Sequence, residues 1–159
     1  MKYFKFILFI LFILALSSVV SCGSDDDICE NGEGTPRMKI TFRKGNQISE
    51  VDSIKIYADL GTGIIDLGWK LKVDSVFVPL RVDDSPFTDI YVRTTTQEDS
   101  TRVRINYTTK SIYVSPGCGV KRNYENVNSV LSTPNSLKSV EQGQNFIENE
   151  DKTNLFFNF

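Results

Sequence analysis

Apolar residues fall at every second position in several short stretches of this chain. Met38, Ile40 and Phe42 alternate with Lys39, Thr41 and Arg43, the pattern of a strand with one face buried. Gly45-Asn46 predicts a turn, and Ser53 to Ala58 repeats the alternation, so a second strand is expected over about 51–59, broken by Gly61-Thr62-Gly63. Residues 64–74 are mixed, with Trp69, Leu71 and Val73 expected on one face of a further strand. Ser75 to Val78 is another, and Pro79 confines its end to an edge or a bulge because proline has no N–H for the ladder. After the turn chemistry of Asp83-Asp84-Ser85-Pro86, Thr88 to Thr95 is β-branched and aromatic. Gln97 to Ser100 forms the next turn, followed by Thr101 to Thr108 with Val103, Ile105 and Tyr107 facing inward. Lys110 to Ser115 predicts a separate short strand, stopped by Pro116-Gly117.

The pattern weakens over 119–135, which is rich in Asn and Ser, with Tyr124, Val127, Val130 and Leu131 as the expected anchors. Leu137 to Gln142 reads as a strand rather than a helical turn. The final Leu155-Phe156-Phe157-Asn158-Phe159 would be an aggregation hazard if it were exposed, so it is expected to pair inside a sheet. No stretch offers a capped helix of ten residues. Seven to nine short strands separated by turns predict an all-β, antiparallel, immunoglobulin-like β-sandwich over 37–159, with an open barrel as the alternative.

The N-terminus follows a different rule. Lys2 and Lys5 precede an apolar run from Phe6 to Leu16, then small residues lead to Cys22, the order of a secretory signal peptide over 1–21. The run is too short to cross a bilayer comfortably, since a spanning helix needs about 20 apolar residues. Val19-Val20-Ser21-Cys22 resembles a bacterial lipobox, which predicts cleavage before Cys22 and acylation of that residue. Several acyl chains make a durable membrane anchor where one would not. Ser24-Asp25-Asp26-Asp27 resembles the export signal of Bacteroidota lipoproteins, so display on the outer face of the outer membrane is expected, with a periplasm-facing anchor as the alternative. Residues 22–36 then form the lipidated cysteine and an acidic tether.

Composition narrows the chemistry. Removal of 21 residues from 159 leaves 138, with 16 basic side chains against 20 acidic once Lys2 and Lys5 are gone, so the mature net charge is near −4. That length supports one domain. The absence of a basic block argues against nucleic acid as a partner. There is no His, hence no imidazole base or metal ligand. Of three cysteines, the lipidated one is consumed, leaving Cys29 and Cys118 to form a single disulfide outside the cytoplasm. Two Cys without His cannot fill a four-coordinate zinc site, and a catalytic Cys would lack its base. No metal or other cofactor is expected.

The remaining constellations are weak. Asp25 to Asp27 with Glu30 and Glu33 does not match a calcium-loop spacing. Gly61-Thr62-Gly63 lacks the third glycine and the helix of a dinucleotide cradle. Asp83 and Asp84, adjacent on a turn, point apart and make no acid–base pair. No catalytic residue is assigned. Trp69, Tyr91, Tyr107, Tyr113 and Tyr124 are candidates for a stacking platform, although strand aromatics more often pair across strands or enter the core. Asp52-Ser53-Ile54, Asp74-Ser75-Val76 and Asp99-Ser100-Thr101 fit a short Bacteroidota O-glycosylation pattern.

Asp26-Asp27-Ile28-Cys29, Thr35-Pro36, Val78-Pro79-Leu80, Ser115-Pro116-Gly117-Cys118-Gly119 and the closing apolar strand together resemble an uncharacterised family of small Bacteroidota outer-membrane lipoproteins. The resemblance covers nearly all of the mature chain. It implies a lipid-anchored β domain with a Cys29–Cys118 bridge and no assigned activity. It further implies an outer-membrane β-barrel partner, since members look as if they are often encoded beside one. The expected function is that of a non-enzymatic accessory or binding partner of another envelope protein. The alternative is a surface glycan-binding module that uses Trp69.

Overall fold

The computed structural model describes residues 34–97 and 99–159. The signal peptide, Cys22, the export signal at Ser24 to Asp27, and Cys29 therefore lie outside the described residues. The described chain is all β, and its strands form two facing sheets. Ten strands are present rather than seven to nine: β1 (Met38–Lys44), β2 (Gln47–Ile48), β3 (Val51–Asp59), β4 (Ile64–Val73), β5 (Ser75–Val78), β6 (Phe87–Arg93), β7 (Thr101–Ser115), β8 (Gly119–Ser132), β9 (Ser139–Gln142) and β10 (Leu155–Asn158).

The first sheet is built on β1. Along one side β1 pairs antiparallel with β5 over Met38 to Thr41 and with β2 at Arg43 and Lys44. Along its other side lies β10, in parallel register with Phe42 opposite Phe157, and β9 closes that edge. The first and last strands thus sit together at the centre, a parallel pair within the expected antiparallel-rich sandwich. The parallel pair needs a long connection, and the whole second sheet supplies it. That sheet runs β4-β3-β6-β7-β8, antiparallel throughout.

Alternation then fills the space between the sheets. Met38, Ile40 and Phe42 from β1, Leu155 and Phe157 from β10, and Val76 and Val78 from β5 meet Ile54, Ile56 and Ala58 of β3, Ile90 and Val92 of β6, and Val103, Ile105 and Tyr107 of β7. All are buried. The segment between β9 and β10 is tied down by Asn154. Its side-chain oxygen accepts from the Lys39 amide at 3.0 Å, and its Nδ2 donates to the Gln144 and Phe146 carbonyls at 3.2 and 3.0 Å. At Gly143 a Cβ would sit 2.4 Å from the Thr153 carbonyl oxygen, so the close approach of these two backbones requires glycine.

Three sequence expectations are corrected. Thr101–Thr108 and Lys110–Ser115 are one continuous strand, β7, which carries an irregularity opposite Asn128 and Glu125 of β8. The weakly patterned 119–135 contains a fourteen-residue strand, β8, in which Tyr124 and Val127 are buried while Val130 is 52 % exposed. On β4, Trp69, Leu71 and Val73 do not share one environment: Val73 packs on the core with Leu67, whereas Trp69 and Leu71 are exposed. Left-handed backbone at Gly68 (φ 73°) and Lys72 (φ 51°) breaks the two-residue period there.

Candidate functional site

Burying the even-numbered residues of β3 and β6 leaves the odd-numbered ones on the outer face of the five-stranded sheet. β3 contributes Lys55, Tyr57 and Asp59, and β6 contributes Phe87, Asp89, Tyr91 and Arg93. On β7, where the odd residues are buried, Arg102 and Arg104 face outward. The strand registers set these side chains in rows. Trp69, Lys55 and Arg93 form one row, Asp66, Tyr57, Tyr91 and Arg102 the next, and Asp59, Asp89 and Arg104 a third. Cross-strand neighbours lie about 5 Å apart at Cβ, so the face is a continuous tiling of rings and charges.

The charges are organised by the rings. Lys55 Nζ is 2.8 Å from Asp66 and lies 5.1 Å from the Tyr57 ring centre and 5.9 Å from that of Trp69. Arg104 grips Asp89 at two points, both 2.8 Å, and its guanidinium lies 3.9 Å from the centre of the Phe87 ring. Arg93 donates to the Tyr57 hydroxyl and lies 5.2 Å from the same ring. Among the described residues Arg93 and Arg102 have no carboxylate within ion-pair distance, and Arg93 Nε is buried without an acceptor. Arg93 is thus engaged by Tyr57, and Arg102 is the cation of this face without a close ion pair among the described residues.

These contacts also shift the titrating groups. The Arg93 hydrogen bond, with Lys55 assisting, holds the Tyr57 phenol below its ordinary value. The Lys55 ammonium, with the Gly68 amide, lowers the Asp66 carboxyl. The Arg104 fork lowers Asp89, against the opposing effect of burial. A carboxyl depressed in the folded state stabilises the fold above its unfolded value, and that contribution is lost as pH falls. Stability is therefore expected to decline from about pH 4 downward as Asp89 takes up a proton. In urea melts across that range the Asp89→Asn variant should show a flatter acid limb than the parent.

The candidate aromatics divide into three groups. Trp69, 37 % exposed, and Tyr91 share the outer face. Tyr113 lies apart on the β7–β8 hairpin and is 66 % exposed. Tyr107 and Tyr124 belong to the core, edge to face at 4.9 Å, so they are no part of a platform. Sequence reading missed Tyr57, Phe87 and the four cations. The available signal was the run of polar and aromatic residues at every outward position of 55–59, 87–93 and 102–104.

The other candidates are placed as follows. Asp83 accepts from the Ser85 amide and approaches Arg81, while Asp84 lies 3.5 Å from Arg122, so the two carboxylates diverge. Gly61-Thr62-Gly63 is the β3–β4 turn, where Gly61 takes a φ of 83° and its amide donates to Asp59. Ser53 donates to the Thr94 carbonyl at 2.7 Å and Ser75 to its neighbour Asp74 at 2.8 Å. Among the described residues no three Cys, Asp or Glu side chains gather as a metal site. Cys118, at the end of the β7–β8 hairpin, is disulfide-bonded. A cleft beside β4 and β5, lined by Ile56, Leu67, Val73 and Val76, measures about 290 Å³, at the lower limit for small-molecule sites.

A family model described as a family of unknown function (DUF6452) matches residues 53–159, about two thirds of the chain. The match includes Cys118 and the outer face and stops short of Cys22 and Cys29. No curated protein and no solved structure matches.

Proposed function

The chain belongs to the DUF6452 family, whose description assigns no activity. On that premise we propose that it is a non-enzymatic, lipid-anchored outer-membrane lipoprotein of Bacteroidota whose β-sandwich binds another envelope protein, with an outer-membrane β-barrel as the foremost candidate. Cys22 carries the lipid, Ser24 to Asp27 direct the domain to the cell surface, and Cys29 bridges to Cys118. What supports the pairing is that Cys118 is disulfide-bonded and that an acylated Cys22 would have no thiol to give.

The observation that supports a protein partner is the outer face of the five-stranded sheet. Trp, Tyr and Arg are the residues most enriched at the energetic centres of protein interfaces. Here Trp69, Tyr57, Tyr91, Arg93 and Arg102 lie together on paired strands, so the backbone that carries them is already ordered before association. A photo-cross-linker at Tyr91 in intact cells is expected to give one reproducible adduct with an outer-membrane protein. An Arg102→Glu substitution should cut its yield about tenfold or more, the loss of a central interface contact. Absence of any adduct, or an adduct indifferent to Arg102→Glu, would overturn this reading.

Trp69 favours a second reading. An exposed indole, diagonal to Tyr57 and two strands from Tyr91, offers stacking surface for a sugar ring, and Arg93 and Arg102 offer donors for its hydroxyls or acidic groups. Binding on a glycan array that disappears with Trp69→Ala and survives Arg102→Glu would select the glycan.

A further inference from the structure

The β7–β8 hairpin outruns the sheet that carries it. β6 pairs with β7 only as far as Asn106, and the Tyr107 amide ends that edge on the Pro86 carbonyl at 3.0 Å. Tyr124, opposite Thr109, still pairs with Ile147, and past it β7 and β8 continue as a two-stranded arm to Ser115 and Gly119. At about 3.3 Å per residue the fifteen residues of β7 extend about 50 Å, and the last six of them, Lys110 to Ser115, make about 20 Å of arm.

The incoming chain runs onto this arm. The Arg122 amide, on the outer edge of β8, donates to Thr35 Oγ1 at 3.0 Å. Thirteen residues separate Cys22 from Thr35 (35 − 22), a contour of at most about 45 Å. With the Cys29–Cys118 bridge the path from the lipid to the end of the arm is seven residues (29 − 22), at most about 25 Å. An anchor at Cys22 therefore keeps the end of the arm, more than any other described part of the domain, close to the bilayer.

The side chains there suit that position. Tyr113 and Val120 face each other across the arm and are 66 % and 58 % exposed. A tyrosine with its apolar ring and polar hydroxyl belongs at a lipid–water boundary. Residues 109–124 include Lys110, Lys121 and Arg122 and no Asp or Glu; Lys110 is paired with Glu125 and Arg122 with Asp84 at the base of the arm, so its end carries no carboxylate of its own.

We propose that the end of the β7–β8 arm, through Tyr113 and Val120, seats in the interfacial layer of the membrane that holds the lipid anchor, giving the domain a second point of attachment and a fixed orientation. The proposal rests on the reading of Cys22 as acylated. In a Trp69→Phe background the only indole is then one introduced at a chosen site. The lipidated mature protein is reconstituted in vesicles of phosphatidylcholine, brominated near the carbonyl end of its chains, with a minor share of phosphatidylglycerol. A Tyr113→Trp variant is expected to shift to the blue and lose most of its emission. A Val130→Trp variant, at the other end of β8, should keep its emission. Both positions are exposed, so neither substitution burdens the fold. Equal emission from both variants, or quenching of both, in a protein whose acylation is established by mass would overturn the seating of the arm while leaving the anchor in place. A Cys22 found unacylated by mass, in protein that stays off the vesicles, would overturn the anchor reading and the proposal with it.

Discussion

Phe157→Ala is expected to cost the protein about 3–5 kcal/mol, the range for removing a buried phenyl ring. Phe157 lies on β10 between β1 and β9, opposite Phe42 in the parallel register, and both rings are fully buried. No neighbouring loop is placed to collapse into the space, because strands flank it on both sides in the sheet and the second sheet covers it. A loss of that size corresponds to a fall in Tm of the order of 10 °C for a domain of this length. Phe156→Ala provides the contrast. Its ring points to the outer side, where the Arg43 guanidinium lies 3.4 Å from the ring centre, so its removal is expected to cost well under half as much. Urea melts of the two variants check the ordering, and equal losses would mean that the last strand does not sit where the register puts it.

Tyr124→Ala is expected to have an effect of similar size, about 3–5 kcal/mol, for a different reason. Tyr124 is the junction between the sandwich and its arm. Its ring packs edge to face on Tyr107 at 4.9 Å, its hydroxyl donates to the Arg81 carbonyl at 3.1 Å, and its backbone exchanges two hydrogen bonds with Ile147. Removing the side chain empties the centre of that junction. Tyr124→Phe keeps the ring and leaves the Arg81 carbonyl short of a donor, at about 1 kcal/mol. Burial pushes the Tyr124 and Tyr107 phenols upward, so the neutral forms are favoured in the folded protein. That stability is complete below about pH 10 and is lost as the pH rises further, when the unfolded phenols ionise. Tyr124→Phe should therefore also soften the alkaline limb of a stability–pH curve.

Where residues alternate without interruption, the strands were legible from the sequence. β1, β3 and β5 follow directly from the two-residue period, and the closing Phe-rich segment is the paired strand its hydrophobicity requires. Legibility ended wherever the backbone departs from that period. In β8, Tyr124 and Val127 are both buried although three residues apart, because Asn126 between them takes a left-handed conformation (φ 55°) and inserts an extra residue. The same irregularity, seen from β7, made one long strand look like two. The outer face was only partly legible for another reason. Trp69 stood out as the single tryptophan, but the grouping of Lys55, Tyr57, Tyr91, Arg93 and Arg102 depends on β3 lying beside β6 and β6 beside β7. Neighbour order is set by how the sheets assemble, and local pattern does not encode it.

The two left-handed residues on β4 have a consequence for how anything can approach that side of the molecule. β4 is the border of its sheet, and its far row of amides and carbonyls has no partner strand among the described residues. Extending the sheet with a foreign strand would need an unkinked stretch of that backbone, and Gly68 and Lys72 divide it into 64–67 and 69–71, four and three residues long. A visitor here finds only short runs of main chain to pair with and gains more from side chains. The same two kinks work against edge-to-edge fibril growth from this border.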